Sequence, residues 1–356
     1  MNADFKSAKE YVEMLSTSDS PIVIFTAGAA GRNACRALSA HGVKTTCFAD
    51  NSNEKLGETT VDEVVFEVIG FQDTISRYPD AYIIIPPRNY LSVITEQLVA
   101  AGYSREKLIA LDFDVLNYNL SDKACERVYS LFSDERSRII FNERLNYLRT
   151  GDISYLGKVR DRNQMYFDSD IISLSSSETV IDGGGYNGDT FSEFVKIVKT
   201  FKHYYLFEPD LENMNAAKNN LSALNNDFIF SSANLSFVPM GLWSQRDILS
   251  FSNAGLSGSR LAEYGETQID VTSIDEVLSE TAATFIKMDI EGAEIQALKG
   301  ASMTIAKYKP KLAICAYHKV GDFIDIPLLI HEFNQEYRLF LRHYSTDRTD
   351  TVCYAV

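Results

Sequence analysis

The chain of 356 residues is short of basic charge, of paired cysteines and of long apolar runs. Its 34 Lys and Arg stand against 49 Asp and Glu, a formal net charge of -15. Tracking a nucleic-acid backbone needs clustered Lys and Arg, so no nucleic acid is expected as a partner. The five cysteines (Cys35, Cys47, Cys125, Cys315 and Cys353) are odd in number, far apart and free of any Cys-x-x-Cys pair. That pattern speaks against a disulfide framework and a structural zinc site, and predicts buried thiols in a reducing compartment. No apolar run approaches the ~20 residues of a membrane span, and residues 1–15 lack a basic stretch leading into an apolar core. A cytoplasmic protein without a membrane span is the expectation. Internal repeats and low-complexity segments are lacking too.

What is present is a length beyond the usual limit of one core, with a 45% hydrophobic fraction to fill two. Phe5, Ala8, Val12 and Leu15 stand at helical spacing. An apolar strand over 22–25, a helix over 29–39 and a strand over 45–49 ending at Asp50 make a βαβ unit. Strands over 82–85 and 108–111, around a helix over 90–101, continue the pattern. Residues 1–115 are therefore predicted to form a small parallel, Rossmann-like α/β domain. Within it Ala27-Gly28-Ala-Ala-Gly31 resembles a dinucleotide fingerprint with Thr26 in place of its first glycine, and Asp50 follows 19 residues after Gly31. The same glycines would equally serve helix–strand packing in a domain that binds nothing and supports dimerisation or acceptor placement. Val128, Leu131, Phe132, Ile139, Ile140, Leu145 and Leu148 predict two helices among many charges, a helical bridge over 116–160.

From 161 to 356 the α/β alternation resumes. Strands are predicted over 179–181, 204–207, 237–243, 285–288 and 311–316, with helices over 190–198, 211–224, 291–307 and 326–334. Residues 248–252 and 268–271 read as an inserted hairpin. Strands over 338–343 and 351–355, joined by the polar turn 345–350, close the sheet with an antiparallel last strand. Seven strands finished in this way resemble the class I methyltransferase architecture more than a dinucleotide-binding fold.

Asp182-Gly-Gly-Gly-Tyr-Asn-Gly188 falls where the first of these strands turns into a helix, and Gly184 and Gly188 would let the backbone approach a ligand closely. Glu208, 20 residues after Gly188, ends the next strand, where a carboxylate can accept both hydroxyls of a ribose. Adenosylmethionine has a sulfonium and an amino acid end but no phosphates, so its site tolerates acids such as Asp182 and Asp189. A pyrophosphate would not, which favours the methyl donor over NAD.

Lys287-Met-Asp-Ile-Glu-Gly-Ala-Glu294, followed by Leu298-Lys-Gly300, resembles the hallmark of the FkbM-type methyltransferase family. Val180-Ile-Asp-Gly-Gly-Gly-Tyr-Asn-Gly-Asp-Thr190, Phe207-Glu-Pro-Asp210 and Tyr317-His-Lys319 extend the resemblance over about residues 160–356. It implies S-adenosyl-L-methionine-dependent O-methylation of a hydroxyl on a sugar, glycan precursor or secondary metabolite. Gly185 departs from the alanine expected there, which should only loosen the turn. The donor is expected at Asp182, Gly184, Tyr186, Asn187, Gly188, Glu208, Gly241 and Asp289, with Tyr166 and Phe167 as a cover or as core. Catalysis falls to His318 as general base, Asp289 as orienting group and Glu291 beside them, since all three lie just past the carboxyl ends of neighbouring strands. His318 could instead hydrogen-bond between strand ends, and Glu294 could cap or bridge its helix locally. A divalent metal on Asp289, Glu291 and His318 is compatible with the oxygen-rich set, but no spacing signature predicts it. The competing readings are a nicotinamide-dependent oxidoreductase or sugar-nucleotide enzyme, which leaves Asp289-Ile-Glu-Gly unexplained, and a non-catalytic sugar-binding scaffold.

Overall fold

The structure is a computed structural model, described here over residues 7–86, 90–118, 120–224, 234–252, 260–261 and 267–356. It divides into two compact units. One comprises Met1–Leu120, Asn142–Val159 and Thr346–Arg348, and the other Ser121–Phe141, Arg160–Ser345 and Thr349–Val356. The expected bridge over 116–160 is thus shared between the units, and the division falls inside one helix, Glu135–Thr150.

The first unit holds a six-stranded sheet made of β1 (Ile22–Phe25), β2 (Cys47–Ala49), β3 (Gly57–Val61), β4 (Val64–Ile69), β5 (Tyr82–Ile84) and β6 (Leu108–Ile109). The order is β3-β4-β2-β1-β5-β6, parallel except for β3. Val23, Phe25, Ile83 and Leu98 fill its core. The β3–β4 hairpin has no counterpart in the sequence reading, for a physical reason. Its outer face is exposed, and its turn residues Asp62 and Glu63 take φ of 46° and 69° without the Asn-Gly or Asp-Gly pair that signals such turns. Residues 142–159 join this unit through polar ties: the Tyr147 hydroxyl donates to Asp112 Oδ2 (2.6 Å) and the Asp112 N–H to the Gly151 carbonyl (2.9 Å).

The second unit is built on β7 (Thr179–Gly183), β8 (His203–Phe207), β9 (Leu235–Val238), β10 (Gly241–Leu242), β11 (Asp247–Ser252), β12 (Arg260–Leu261), β13 (Thr267–Thr272), β14 (Phe285–Met288), β15 (Lys311–Cys315), β16 (Leu339–His343) and β17 (Thr351–Ala355). Seven of these form a sheet in the order β16-β17-β15-β14-β7-β8-β9. Its pairs are parallel except those of β17, which runs antiparallel to both β15 and β16. Residues of β7, β14 and β17 are buried without alternation, as strands covered on both faces must be. Under the helix Asp189–Ile197 the core is aromatic, with Phe191 and Phe194 each in ring contact with Phe201 and Tyr204.

Two expected elements are divided. The strand expected over 237–243 breaks at Pro239, which has no N–H to give; β9 stays in the large sheet and β10 enters a small sheet ordered β10-β13-β11-β12. The helix expected over 291–307 becomes Glu294–Lys299 and Ser302–Tyr308. Gly300 separates them, packed so closely that a Cβ there would stand 2.1 Å from the Trp243 carbonyl oxygen.

Candidate active site

The sheet order reverses at β7, whose partners are β8 on one side and β14 on the other. In such sheets a crevice opens outside the carboxyl ends of the strands at this point. A cavity of about 310 Å³ lies there, walled by Gly184, Tyr186, Glu208, Asp289 and Glu291 from the large sheet's loops and by Gly241, Leu242, Ile269 and Val271 from the small sheet. Tyr166, Tyr186 and Glu291 on its wall all have positive φ (67°, 43° and 55°). Non-glycine residues rarely adopt that conformation, and it concentrates at ligand sites.

The glycine turn is held from below. The Lys287 ammonium, fully buried, lies 2.9 Å from Asp182 Oδ1 and donates to the carbonyls of Gly183 (3.1 Å) and Gly184 (2.8 Å). The Tyr204 hydroxyl donates to Asp182 Oδ2 (2.7 Å). Burial opposes the lysine's charge, but Asp182 outweighs it and raises the Lys287 pKa. Gly184 has φ of 73°, and a Cβ there would stand 1.9 Å from the Asp289 carbonyl oxygen, so strand-to-strand contact requires glycine. Gly185 corrects the sequence reading: a Cβ would meet Leu206 Cγ at 2.3 Å, so the turn is filled rather than loosened.

Glu208 reaches back to the same turn. Its Oε2 accepts from the Tyr186 N–H and its Oε1 from the Asp210 N–H, each at 2.9 Å. Each carboxylate oxygen retains acceptor capacity toward the cavity. Burial raises the Glu208 pKa, against the lowering effect of those two N–H groups.

Asp289 closes the opposite end. Its Oδ2 accepts from the Tyr166 hydroxyl (2.7 Å) and its Oδ1 from the Tyr317 hydroxyl (3.2 Å), and His318 Nε2 lies 3.3 Å from Oδ1. Burial works against its charge, but His318 and Lys287 hold the carboxyl well below the usual range. His318 is itself buried, with Nδ1 2.8 Å from Glu294 Oε1 and Nε2 3.8 Å from Glu291 Oε2. Burial disfavours an imidazolium there, yet Glu294 and Asp289 prevail and raise its pKa well above the ordinary value. The expectation of a free, neutral base thus meets an imidazole hydrogen-bonded to Glu294 through Nδ1, whose Nε2 faces the Asp289 and Glu291 carboxylates without a directed hydrogen bond to either. Glu294 accepts from His318 and from the Ile290 N–H (2.9 Å), so it serves the cluster and not only its own helix.

Of the residues expected at the donor site, Gly184, Tyr186, Glu208, Gly241 and Asp289 line the cavity, as does Glu291. Asp182 lies beneath it and Gly188 packs on Leu221. Asn187 lines a second, more open cavity of about 680 Å³ that shares Tyr166, Asp189 and Thr190 with the first. Lys287 stood inside the quoted motif without a role, and its signal was available: a lysine within a buried strand needs a buried partner.

In the first unit, Asp50 Oδ2 accepts from the Ala27 N–H (2.9 Å) and Oδ1 from the Ser52 N–H (2.9 Å), with Lys55 Nζ 3.3 Å away. A Cβ on Gly31 would stand 1.8 Å from the Thr26 carbonyl oxygen. The glycine therefore has a packing cause, and the acid is engaged by its own loop.

At the reversal point the cavity thus combines a glycine turn, a facing glutamate and, among the described lining residues, a single cation, Lys287, already paired with Asp182. Residues 182–346 match the family model described as the methyltransferase FkbM domain. That part of the chain is an FkbM methyltransferase domain, and the protein is an S-adenosylmethionine-dependent methyltransferase. Among solved structures the chain is similar to methyltransferase FkbM from Methylobacillus flagellatus KT, with 21% identity, TM-score 0.72 and coverage of 99% of this chain and 94% of that one. It also matches an rRNA methylase from Streptococcus thermophilus (13% identity, TM-score 0.34, 51% and 87% covered). A further match is fibrillarin from Aeropyrum pernix with bound S-adenosyl-L-methionine (11%, 0.33, 52% and 70%). The first shows a shared fold. No curated protein matches. Among the described residues no helix is long and apolar enough to cross a membrane.

Proposed function

We propose that the second unit transfers a methyl group to a hydroxyl of a sugar, glycan precursor or secondary metabolite in the cytoplasm. The strand order with its antiparallel β17 supports a class I methyltransferase sheet, and the parallel sheet of the first unit supports a Rossmann-like companion. The observation that carries the reading is Asp289: a carboxylate at the cavity's edge, oriented by Tyr166, Tyr317 and His318.

The cavity suits the donor by its chemistry. Among the described residues its one cationic wall residue, Lys287, is spent on Asp182 and two carbonyls and is not available to neutralise a pyrophosphate. Glu208 would take the ribose hydroxyls, the 184–186 turn the amino acid end, and Gly241, Leu242 and Ile269 the adenine. When bound, the donor supplies an electrophilic methyl on a sulfonium. Asp289 would then accept a hydrogen bond from the acceptor hydroxyl and aim its oxygen, a contribution of positioning, and as the oxygen–methyl bond forms and the methyl–sulfur bond breaks the hydroxyl proton would pass along that hydrogen bond and on to solvent. His318 holds Asp289 in place while Glu294 fixes the ring.

Labelled methyl donor offered with a panel of sugars, glycans and hydroxylated metabolites tests this reading. Transfer to a product stable in mild alkali identifies a methyl ether. An alkali-labile label would mean that a carboxylate is methylated, and the hydroxyl reading would fall.

A further inference from the structure

Three ligand-type side chains meet behind the cavity's edge. Asp289, Glu294 and His318 each offer one donor atom, and these atoms lie within 4.8 Å of one another. Two buried atoms of the cluster have no hydrogen-bond partner, Glu294 Oε2 and His318 Nε2. The side chains that carry them are 1% and 8% exposed. A buried polar atom without a partner forfeits its hydration, and two such atoms at one point mark a place where a further ligand would satisfy both.

We infer that Asp289, Glu294 and His318 bind a divalent first-row cation or magnesium beside the methyl-transfer site. Two carboxylates and one imidazole are the donor set that hard and borderline divalent ions share. Such ions hold oxygen and nitrogen at about 2.0–2.2 Å, which spaces two donors on one ion about 3 Å apart when adjacent and about 4.3 Å when opposite. The 3.3 Å between His318 Nε2 and Asp289 Oδ1 matches the adjacent spacing, and with all three donor atoms within 4.8 Å of one another the set has to close by up to about half an ångström, Glu294 turning its unbonded Oε2 to the ion. A dication also balances the two carboxylates once the imidazole is neutral. Tyr166 and Tyr317, donating to Asp289, supply the outer hydrogen bonds that orient a ligating carboxylate. The strained tip at Glu291 (φ 55°) and Gly292 (φ 94°) turns the chain back toward the helix that carries Glu294. The ion's positive charge would make a nearby hydroxyl easier to deprotonate, which is the service that the engaged imidazole cannot give. Its role rests on the methyl-transfer reading; its binding does not.

Manganese alone, titrated into the metal-stripped full chain and followed by electron paramagnetic resonance, tests the inference. One ion per chain is expected, with affinity reduced at least ~10-fold in His318→Ala and in Glu294→Gln, the scale seen when ligands or their supports are lost. Glu280→Gln, an exposed acid elsewhere, should leave it unchanged. Should either variant fail to fold, pulsed resonance on the wild type decides: nitrogen coupling to the bound manganese, altered by 15N-histidine labelling, demonstrates imidazole ligation. Manganese bound only weakly, equally in all variants and without nitrogen coupling, overturns the inference. Adenosylhomocysteine binding measured in chelator tests the donor site separately, so the two can fail independently.

Discussion

Lys287 and Asp182 form an ion pair sealed beneath the glycine turn, 2.9 Å apart and both shielded from solvent. Removing one partner leaves the other charged and buried, a cost of about 3–5 kcal/mol. Lys287→Met is expected to lose that much in urea denaturation and to weaken adenosylhomocysteine binding, because the carbonyls of Gly183 and Gly184 lose their donor. Combining it with Asp182→Asn should recover most of the stability. If the double variant is no more stable than the single one, the pair does not act as a unit.

The space beside Gly185 is occupied by Leu206. Gly185→Ala should therefore cost about 1–3 kcal/mol, the usual range for overpacking. With Leu206→Ala in the same chain the two losses should be less than additive. Strict additivity in a double-mutant cycle would show that the residues do not share that space.

Glu208→Ala should weaken adenosylhomocysteine binding by about 1.5–3 kcal/mol, the scale of hydrogen bonds to a charged group. The bond to ribose needs the carboxylate, and burial has raised the Glu208 pKa above its ordinary 4.5. Affinity should accordingly decline as pH falls toward that raised value, before an ordinary glutamate would protonate. Calorimetry across pH should find this limb in the wild type and not in Glu208→Gln.

Glu178 gives the opposite sign. Burial opposes its charge, but Lys311 at 2.7 Å, the Thr284 hydroxyl and the Ser175 N–H lower its pKa below 4.5. The resulting stability is fully present above 4.5 and is lost as pH falls through the lowered value in the fold. Acid denaturation of Glu178→Gln should show a shallower loss below pH 4.5 from a lower starting stability. An unchanged acid limb would remove Glu178 from the account.

Deleting residues 1–115 cuts through the first unit. Tyr147 would lose Asp112, and Arg348 would lose both Asp112 and Asp114. The remaining fragment is expected to be less soluble than the full chain, as sedimentation would show. A soluble fragment with intact donor binding would mean that residues 142–159 need no partner from the first unit.

Much of the second unit was legible because its strands are short apolar runs that end at acidic residues. Asp182, Glu208 and Asp289 each stand at a strand end, and the structure brings them to one crevice or directly below it. What stayed hidden depends on contacts between segments distant in sequence. The break at Gly300 follows from the approach of Trp243, and the filling of Gly185 from Leu206 on the neighbouring strand. His318 could be placed at a strand end, but its carboxylate company arises from Glu294, 24 residues earlier. The β3–β4 hairpin carries an apolar run, Val64-Val-Phe-Glu-Val-Ile69, but lacks the turn residues that would mark it as one arm of a hairpin.

The small sheet supplies one wall of the cavity at the strand ends, through Gly241 and Leu242 of β10 and Ile269 and Val271 of β13. Only a short hinge, Pro239-Met240, separates β10 from the large sheet's edge strand β9. A molecule held between Glu208 and this wall would fasten the two sheets to each other. Its binding energy would then count toward the cohesion of the small sheet, making the backbone amides of β10 and β13 exchange with solvent more slowly in its presence. On this view the bound cofactor is also a rivet, and the departure of its demethylated form after each turnover would loosen the sheet that admitted it.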